Sequence, residues 1–589
     1  MKTTNQFRKP EEQARIDAWI KEQSEGAKPF DFLKADEEVA SGSEHTPRAA
    51  TTTGLTPYAG ELSKENVLHL LKRTLFGAKQ SDVDAFMQLS VSEAIDQLVQ
   101  TSPIPPEPVN DYNTTSNPAE QDPDVAIGES WVDAPYNNGD NAQEGNRLIS
   151  LCTWLMNNMI QQEQTIHEKM VLFWNNLLPT QAFGIFVAKM SYRYFELLRR
   201  NALGNYKTMI KELTLDPCML FYLNGASNNR YAPDENYGRE LQELFTVGKG
   251  PNSKFTESDV QAAARVLTGF TSDWGQNTNW GPMESIFYAD WHDTDDKQFS
   301  EFYGNRLIEG KSGQAGAEEL DEMLDMIFDN EETALYICRR FYNFFVFSEI
   351  DESVEQNVIV PLAQIFRDND YEILPVLKAL FASEHFFDEA NKGAMIKNPI
   401  DLILGFWRTT EMQHIEESNA NLKYTTMREM YWGFCYQVGM RIGDPPSVSG
   451  WPAYYQVPSF DKLWITTDTI TRRAQYVDAL IGQWAWVGNP DYRLGVNLIR
   501  FLEHLPDPGN PNQMIDDVAD LLFGTKITSE SHEYVKSSLL SGQSTDSYWT
   551  EAWVDYQGEP TNETYRSVVE NRLRNAFRAL THLGEFQLM

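Results

Sequence analysis

Apolar side chains in this chain recur mostly at helical spacing. Downstream of Ser63, the residues Val67, Leu68, Leu70, Leu71 and Leu75 form one stripe, and Gly77 is a natural stop. Ser81 and Asp84 stand at capping spacing for a second helix, and a third runs from Val91 to Val99. The same period predicts helices over 147–160, 164–178, 186–202 and 206–213. Asp216-Pro217 opens a short helix that ends at the Asn224-Gly225 turn. A helix over 235–247 stops at Gly248, and Thr256-x-x-Asp259 starts one that ends at Gly269. Helices follow over 316–328, 331–347, 354–368 and 371–383, and another after Pro399. The last spans 562–581, with Leu573, Ala576, Phe577 and Leu580 at i, i+3, i+4 and i+7. One short hairpin is expected around Phe287-Tyr288-Ala289-Asp290. The fold class is all-α, a large multi-helix body with irregular or small β insertions.

Three stretches break the pattern. Residues 1–60 are polar; within them Pro10 to Glu22 reads as a short surface helix and Ser41 to Pro57 as an extended, poorly ordered or partner-wrapped arm. Residues 101–146 hold seven prolines among many Asn and Asp, and read as a long surface loop. Residues 435–475 are irregular, with Asp444-Pro445-Pro446 and Gly450-Trp451-Pro452. The expected organisation is a polar arm over 1–60, a helical core over 61–480, and a C-terminal helical extension over 481–589 packed on that core.

Charge narrows the partners. The formal net charge is −37, from 86 acids against 49 bases, which repels nucleic-acid phosphates and anionic membranes. It suits cationic partners or divalent metals, and a solvated acidic surface explains it equally. The four cysteines, at 152, 218, 338 and 435, are far apart and read as buried small hydrophobes rather than a disulfide or zinc framework. Met1 to Pro10 has no signal-peptide core, and no stretch approaches the ~18 apolar residues of a membrane span.

The richest chemistry lies in Asp234-Glu235-Asn236-Tyr237-Gly238-Arg239-Glu240-Leu241-Gln242-Glu243. Glu235, Arg239 and Glu243 share one helical face, and Glu240 and Glu243 are i, i+3 neighbours. As structure, this is a helix start: Asp234 caps, Glu235 meets the positive end of the dipole, and Arg239 pairs with both glutamates. As a site, Glu240 and Glu243 hold a divalent cation or share a proton. The segment His292-Asp293-Thr294-Asp295-Asp296-Lys297 offers a metal ligand or proton relay, against the plainer reading of a solvated turn. Trp451 and Trp464 are ring platforms for a sugar or peptide, or else buried struts.

Several ordered segments resemble the bacterial family called domain of unknown function 1800. They include Leu70-Leu71-Lys72-Arg73-Thr74-Leu75-Phe76-Gly77, Met170-Val171-Leu172-Phe173-Trp174, Ala202-Leu203-Gly204-Asn205-Tyr206 and Asp216-Pro217-Cys218-Met219-Leu220. The acidic helix, Phe255 to Phe270, His292-Asp293 with Lys297, Pro445 to Pro452 and Trp464-Ile465-Thr466-Thr467 complete the set, which runs from about residue 65 to 475. The resemblance implies a mostly helical body. It also implies life in the bacterial envelope or outside the cell, because family genes often lie beside a gene for an exported partner. The family pattern continues after Phe-Trp with His-Asn-His, whereas this chain has Asn175-Asn176-Leu177. Neither replacement titrates near neutral pH, which weighs against an inherited catalytic role.

The expected function is a non-enzymatic scaffold or partner-binding subunit, assembling with a protein partner or with itself and needing no cofactor. The alternative is a metal-assisted hydrolase in which Glu240 and Glu243 ligate a divalent cation, His292 and Asp293 orient water, and Arg239 stabilises an anion. A third reading is a carbohydrate-binding protein using Trp451 and Trp464.

Overall fold

The computed structural model describes Ala14, Ala18, Lys21 and residues 53–113, 121–136, 141–273, 283–412, 420–483, 485–486 and 493–589. The short helix read over Pro10 to Glu22 and most of the polar arm lie outside the described residues. The described end of that arm docks on the body: Tyr58 donates its amide to Ala382 O at 2.7 Å, and Glu384 donates to Thr56 O at 2.8 Å.

The architecture is helical, and its helix starts follow local capping chemistry. Ser63 Oγ accepts from Asn66 N at 3.2 Å and opens Lys64–Thr74. Ser90 and Glu93 close a capping box ahead of Val91–Leu98, and Thr256 and Asp259 do so ahead of Glu257–Val266. Asp216 caps Pro217–Tyr222, with Pro217 in the first turn where its missing N–H has no cost. Ser81 is not a cap: that helix begins at Gln80, after the extended Lys79, whose side chain makes no capping bond.

Three two-stranded antiparallel sheets are inserted among the described residues. Phe270–Ser272 pairs with Ser285–Phe287, Phe270 facing Phe287. The hairpin expected around 287–290 is thus shifted, since Ala289–Trp291 turns as a 3-10 helix. Lys297–Gln298 pairs with Leu307–Ile308, and Ala485–Trp486 with Arg493–Leu494.

A continuous core of buried apolar side chains runs from Leu62 to Phe586. Its centre is aromatic: Phe173 stacks on Phe341 at 5.0 Å, and Trp174 stacks on Tyr206 at 5.3 Å while donating Nε1 to Ala202 O at 3.0 Å. Two segments of the family resemblance are therefore joined by one tryptophan. The helices Pro511–Leu522, Ser529–Leu539, Ser547–Gly558 and Glu563–Thr581 follow the irregular region. They are tied to the rest through Lys397, whose amide donates to Gln587 O at 2.8 Å. Among the described residues, no helix is long and apolar enough to cross a membrane.

Candidate functional site

The acidic helix is built as the i, i+4 pattern implies and then changes pitch. Asp234 Oδ1 accepts from Asn236 N at 2.8 Å at the start of Glu235–Glu240. The next six residues, Leu241–Thr246, form a π-helix that ends where Val247 and Gly248 both donate to Gln242 O at 3.0 Å. Such wide turns insert an extra residue and recur at functional positions. Gln242 is fully buried and anchors this turn, donating Nε2 to Gly238 O at 2.9 Å and accepting from Tyr303 Oη at 2.9 Å.

The charges here largely cancel. Arg239 reaches Glu235 at 3.0 Å, Glu243 at 3.7 Å and Glu257 with two contacts, one of 2.9 Å. Glu243 also meets Lys249. Glu240 differs: its Oε2 is buried and has no hydrogen-bond partner. Burial pushes its carboxyl above the ordinary glutamate range; Glu243 adds to that, and Lys249 and Arg239 oppose it. Of the predicted carboxylate pair, one member is already neutralised and the other stands alone. Among the described residues, no group of three or more His, Cys, Asp or Glu is placed to hold a metal ion.

His292 and Asp293 belong to a separate network. His292 donates Nδ1 to Thr268 O at 2.9 Å, and its Nε2 meets Glu319 Oε1 at 3.0 Å. Glu319 also accepts from Lys311 N at 2.7 Å and pairs with Lys297 Nζ at 2.6 Å. His292, Lys297 and Glu319 are each fully buried. Gly316 seals the imidazole, since a Cβ there would lie 2.5 Å from His292 Cδ2. Asp293 accepts two bonds from Arg265, at 2.8 and 3.0 Å. Arg265 and Glu257 occupy opposite ends of one helix, eight residues apart, or about 12 Å of rise. The acidic helix is tied to one end and His292-Asp293 to the other, so these five residues do not converge on one reacting centre. Lys249, Glu257, Lys297 and Glu319 complete the two networks. Only Lys297 carried a sequence signal, through its place beside His292 and Asp293.

Trp451 and Trp464 are 1% and 5% exposed, so neither presents a ring face to a ligand. Their loop is a strut. Trp451 N donates to Asn176 Oδ1 at 3.0 Å, and Gly450 at φ +80° lies so close that a Cβ would sit 2.1 Å from Asn176 O. Asn175 donates Nδ2 to Tyr194 Oη at 3.2 Å, and Leu177 is buried. The residues standing where the resemblance expects His-Asn-His are therefore structural here.

An exposed aromatic platform lies beside the His292 network and was not apparent from the sequence. Tyr231 is 77% exposed and Trp291 42% exposed. Arg230 organises both: its guanidinium lies 4.9 Å from the Tyr231 ring, its Nη2 donates to Tyr231 Oη at 2.7 Å, and its amide donates to Trp291 O at 2.7 Å. Tyr288 packs 5.1 Å from Trp291.

A family profile described as protein of unknown function (DUF1800) matches residues 69–588. No curated protein and no solved structure matches the chain.

Proposed function

This chain belongs to the DUF1800 family, proteins of unknown function, and from that premise we propose that it is a non-catalytic scaffold or partner-binding subunit of a bacterial envelope or extracellular assembly. The observation that carries the reading is the rigid platform of Arg230, Tyr231 and Trp291. Solvated aromatic rings beside an arginine are the residue types that dominate protein interfaces, and pre-organised rings lose little entropy on binding. The internal pairing of Arg239, Glu243, His292 and Asp293 supports the same reading, since each side chain offered for catalysis already has a protein partner. The expectation of an envelope or extracellular site rests on the family's exported neighbours.

The test is native purification of the full chain with chemical cross-linking, beside the double variant Tyr231→Ser, Trp291→Ser. The expected result is a defined partner or self-assembly with the parent chain. The variant should lose it by tenfold or more at an unchanged thermal midpoint. A parent chain that stays monomeric and uncross-linked refutes the proposal.

One observation favours the hydrolase alternative: the orphan Oε2 of Glu240 beside Glu243. Elemental analysis decides it. A stoichiometric metal that is lost in Glu240→Gln establishes a cation site, and a metal-free protein ends that reading.

A further inference from the structure

The helix Pro511–Leu522 ends against two buried lysines. Lys72, from Lys64–Thr74, sends Nζ to Asp520 O and Phe523 O. Lys397 sends Nζ to Leu522 O at 2.6 Å and to Phe586 O at 2.7 Å. These contacts satisfy helix-terminal carbonyls and match the negative end of the dipole. They also place two ammonium groups within one turn of each other, at 7% and 8% exposure.

Neither lysine has a carboxylate of its own. Asp520 pairs with Lys64 at 2.9 Å. Asp401, the nearest acid on the other side, is matched by Lys169 and also accepts from Asn398 Nδ2 at 2.6 Å. Arg473, wholly buried, adds a third positive group: it donates to Gln587 Oε1 at 2.8 Å and to Lys397 O at 2.8 Å, and its Nη1 has no partner. Burying uncompensated charge is costly, and burial accordingly brings Lys72 down to about 7. Burial also depresses Lys397, and repulsion from Lys72 and Arg473 depresses it further.

The space between these groups is a cavity of about 20 Å³, lined by Lys72, Lys397, Asp401, Thr409, Gly77 and Gly405 among others. That exceeds the ~10–15 Å³ needed for one water and matches a halide in scale. Each ammonium carries three donors and uses two on carbonyls, which leaves one each. Charge-assisted N–H donors converging on a small cavity with surplus positive charge select an anion over a neutral guest.

We propose that the cavity between Lys72 and Lys397 binds one small monovalent anion, with chloride as the physiological ligand. The anion offsets the buried positive charge and fastens Pro511–Leu522 to Lys64–Thr74 and Pro399–Thr409.

Two measurements on the full chain test this. Crystals grown in bromide in place of chloride are expected to give an anomalous peak within hydrogen-bonding reach of both Nζ atoms. Thermal unfolding in sodium chloride against sodium gluconate, at equal ionic strength, is expected to give a higher midpoint in chloride. Above the dissociation constant the rise should be about 1 °C per tenfold chloride. The chloride-specific part should vanish in Lys397→Met. Should that variant fail to fold, Gly405→Ala narrows the same cavity, with no atom nearer than 3.5 Å to the added methyl. A cavity without anomalous signal, or equal midpoints in the two salts, overturns the proposal and leaves a water site.

Discussion

Glu319 holds two buried partners with a single carboxylate. Its oxygens meet His292 Nε2 at 3.0 Å and Lys297 Nζ at 2.6 Å, and none of the three residues is exposed. The substitution Glu319→Gln keeps the shape and removes the charge, leaving Lys297 buried without a counter-ion. Breaking a buried pair from one side costs roughly 3–5 kcal/mol. Urea unfolding at pH 7 should register a loss of that size, and a loss below ~1 kcal/mol would mean that water reaches Lys297. The pH dependence has a definite sign. Burial raises the Glu319 carboxyl, but hydrogen bonds from His292, Lys297 and the Lys311 amide outweigh it and hold the group below its ordinary 4.5. The folded state therefore binds fewer protons than the unfolded chain in that window. The stabilisation is fully present above pH 4.5 and is lost as pH falls through the folded-state value. Glu319→Gln should accordingly flatten the acid limb of the stability curve.

Among the elements, the loop around Trp451 is the most constrained junction. Gly450 adopts φ +80°, a region that penalises any Cβ, and the added atom would lie 2.1 Å from Asn176 O and 2.6 Å from Asn176 Oδ1. Gly450→Ala must therefore push Trp451 away from Phe173-Trp174-Asn175-Asn176, at a cost of roughly 3 kcal/mol or more. Tryptophan fluorescence combined with thermal unfolding checks this; an unshifted midpoint would show the loop free to relax. The sequence disclosed the helix starts because Ser63, Ser90, Asp216 and Thr256 act within three residues of themselves. It disclosed the Glu235–Arg239–Glu243 face for the same reason. The π-helices Leu241–Thr246, Glu355–Ile359 and Tyr431–Cys435 left no local mark. Glu319 and Lys397 gave none either, since each finds its partners through tertiary packing that periodicity does not encode. The four helices between Thr467 and Gly558 were unread although Asn510 and Pro511 carry an ordinary cap and first-turn proline.

For the whole molecule, electrostatics sets one more expectation. The net charge of −37 is brought closer together on folding, so self-repulsion opposes the compact state. Surface ion pairs such as Lys207–Asp325 and Lys211–Asp321 pull the other way, but exposed pairs contribute ~0–1 kcal/mol each and are screened by the same salt. Repulsion acts across the whole surface over a Debye length that shrinks from ~30 Å at 0.01 M to ~8 Å at 0.15 M. It is therefore the larger salt-sensitive contribution. Raising sodium gluconate across that range should raise the thermal midpoint by about 1–3 °C. A falling midpoint would mean that paired charges outweigh the acidic excess. This anion-independent slope is also the baseline above which chloride must act at Lys72 and Lys397: screening changes with ionic strength alone, whereas a buried ligand changes with the identity of the ion.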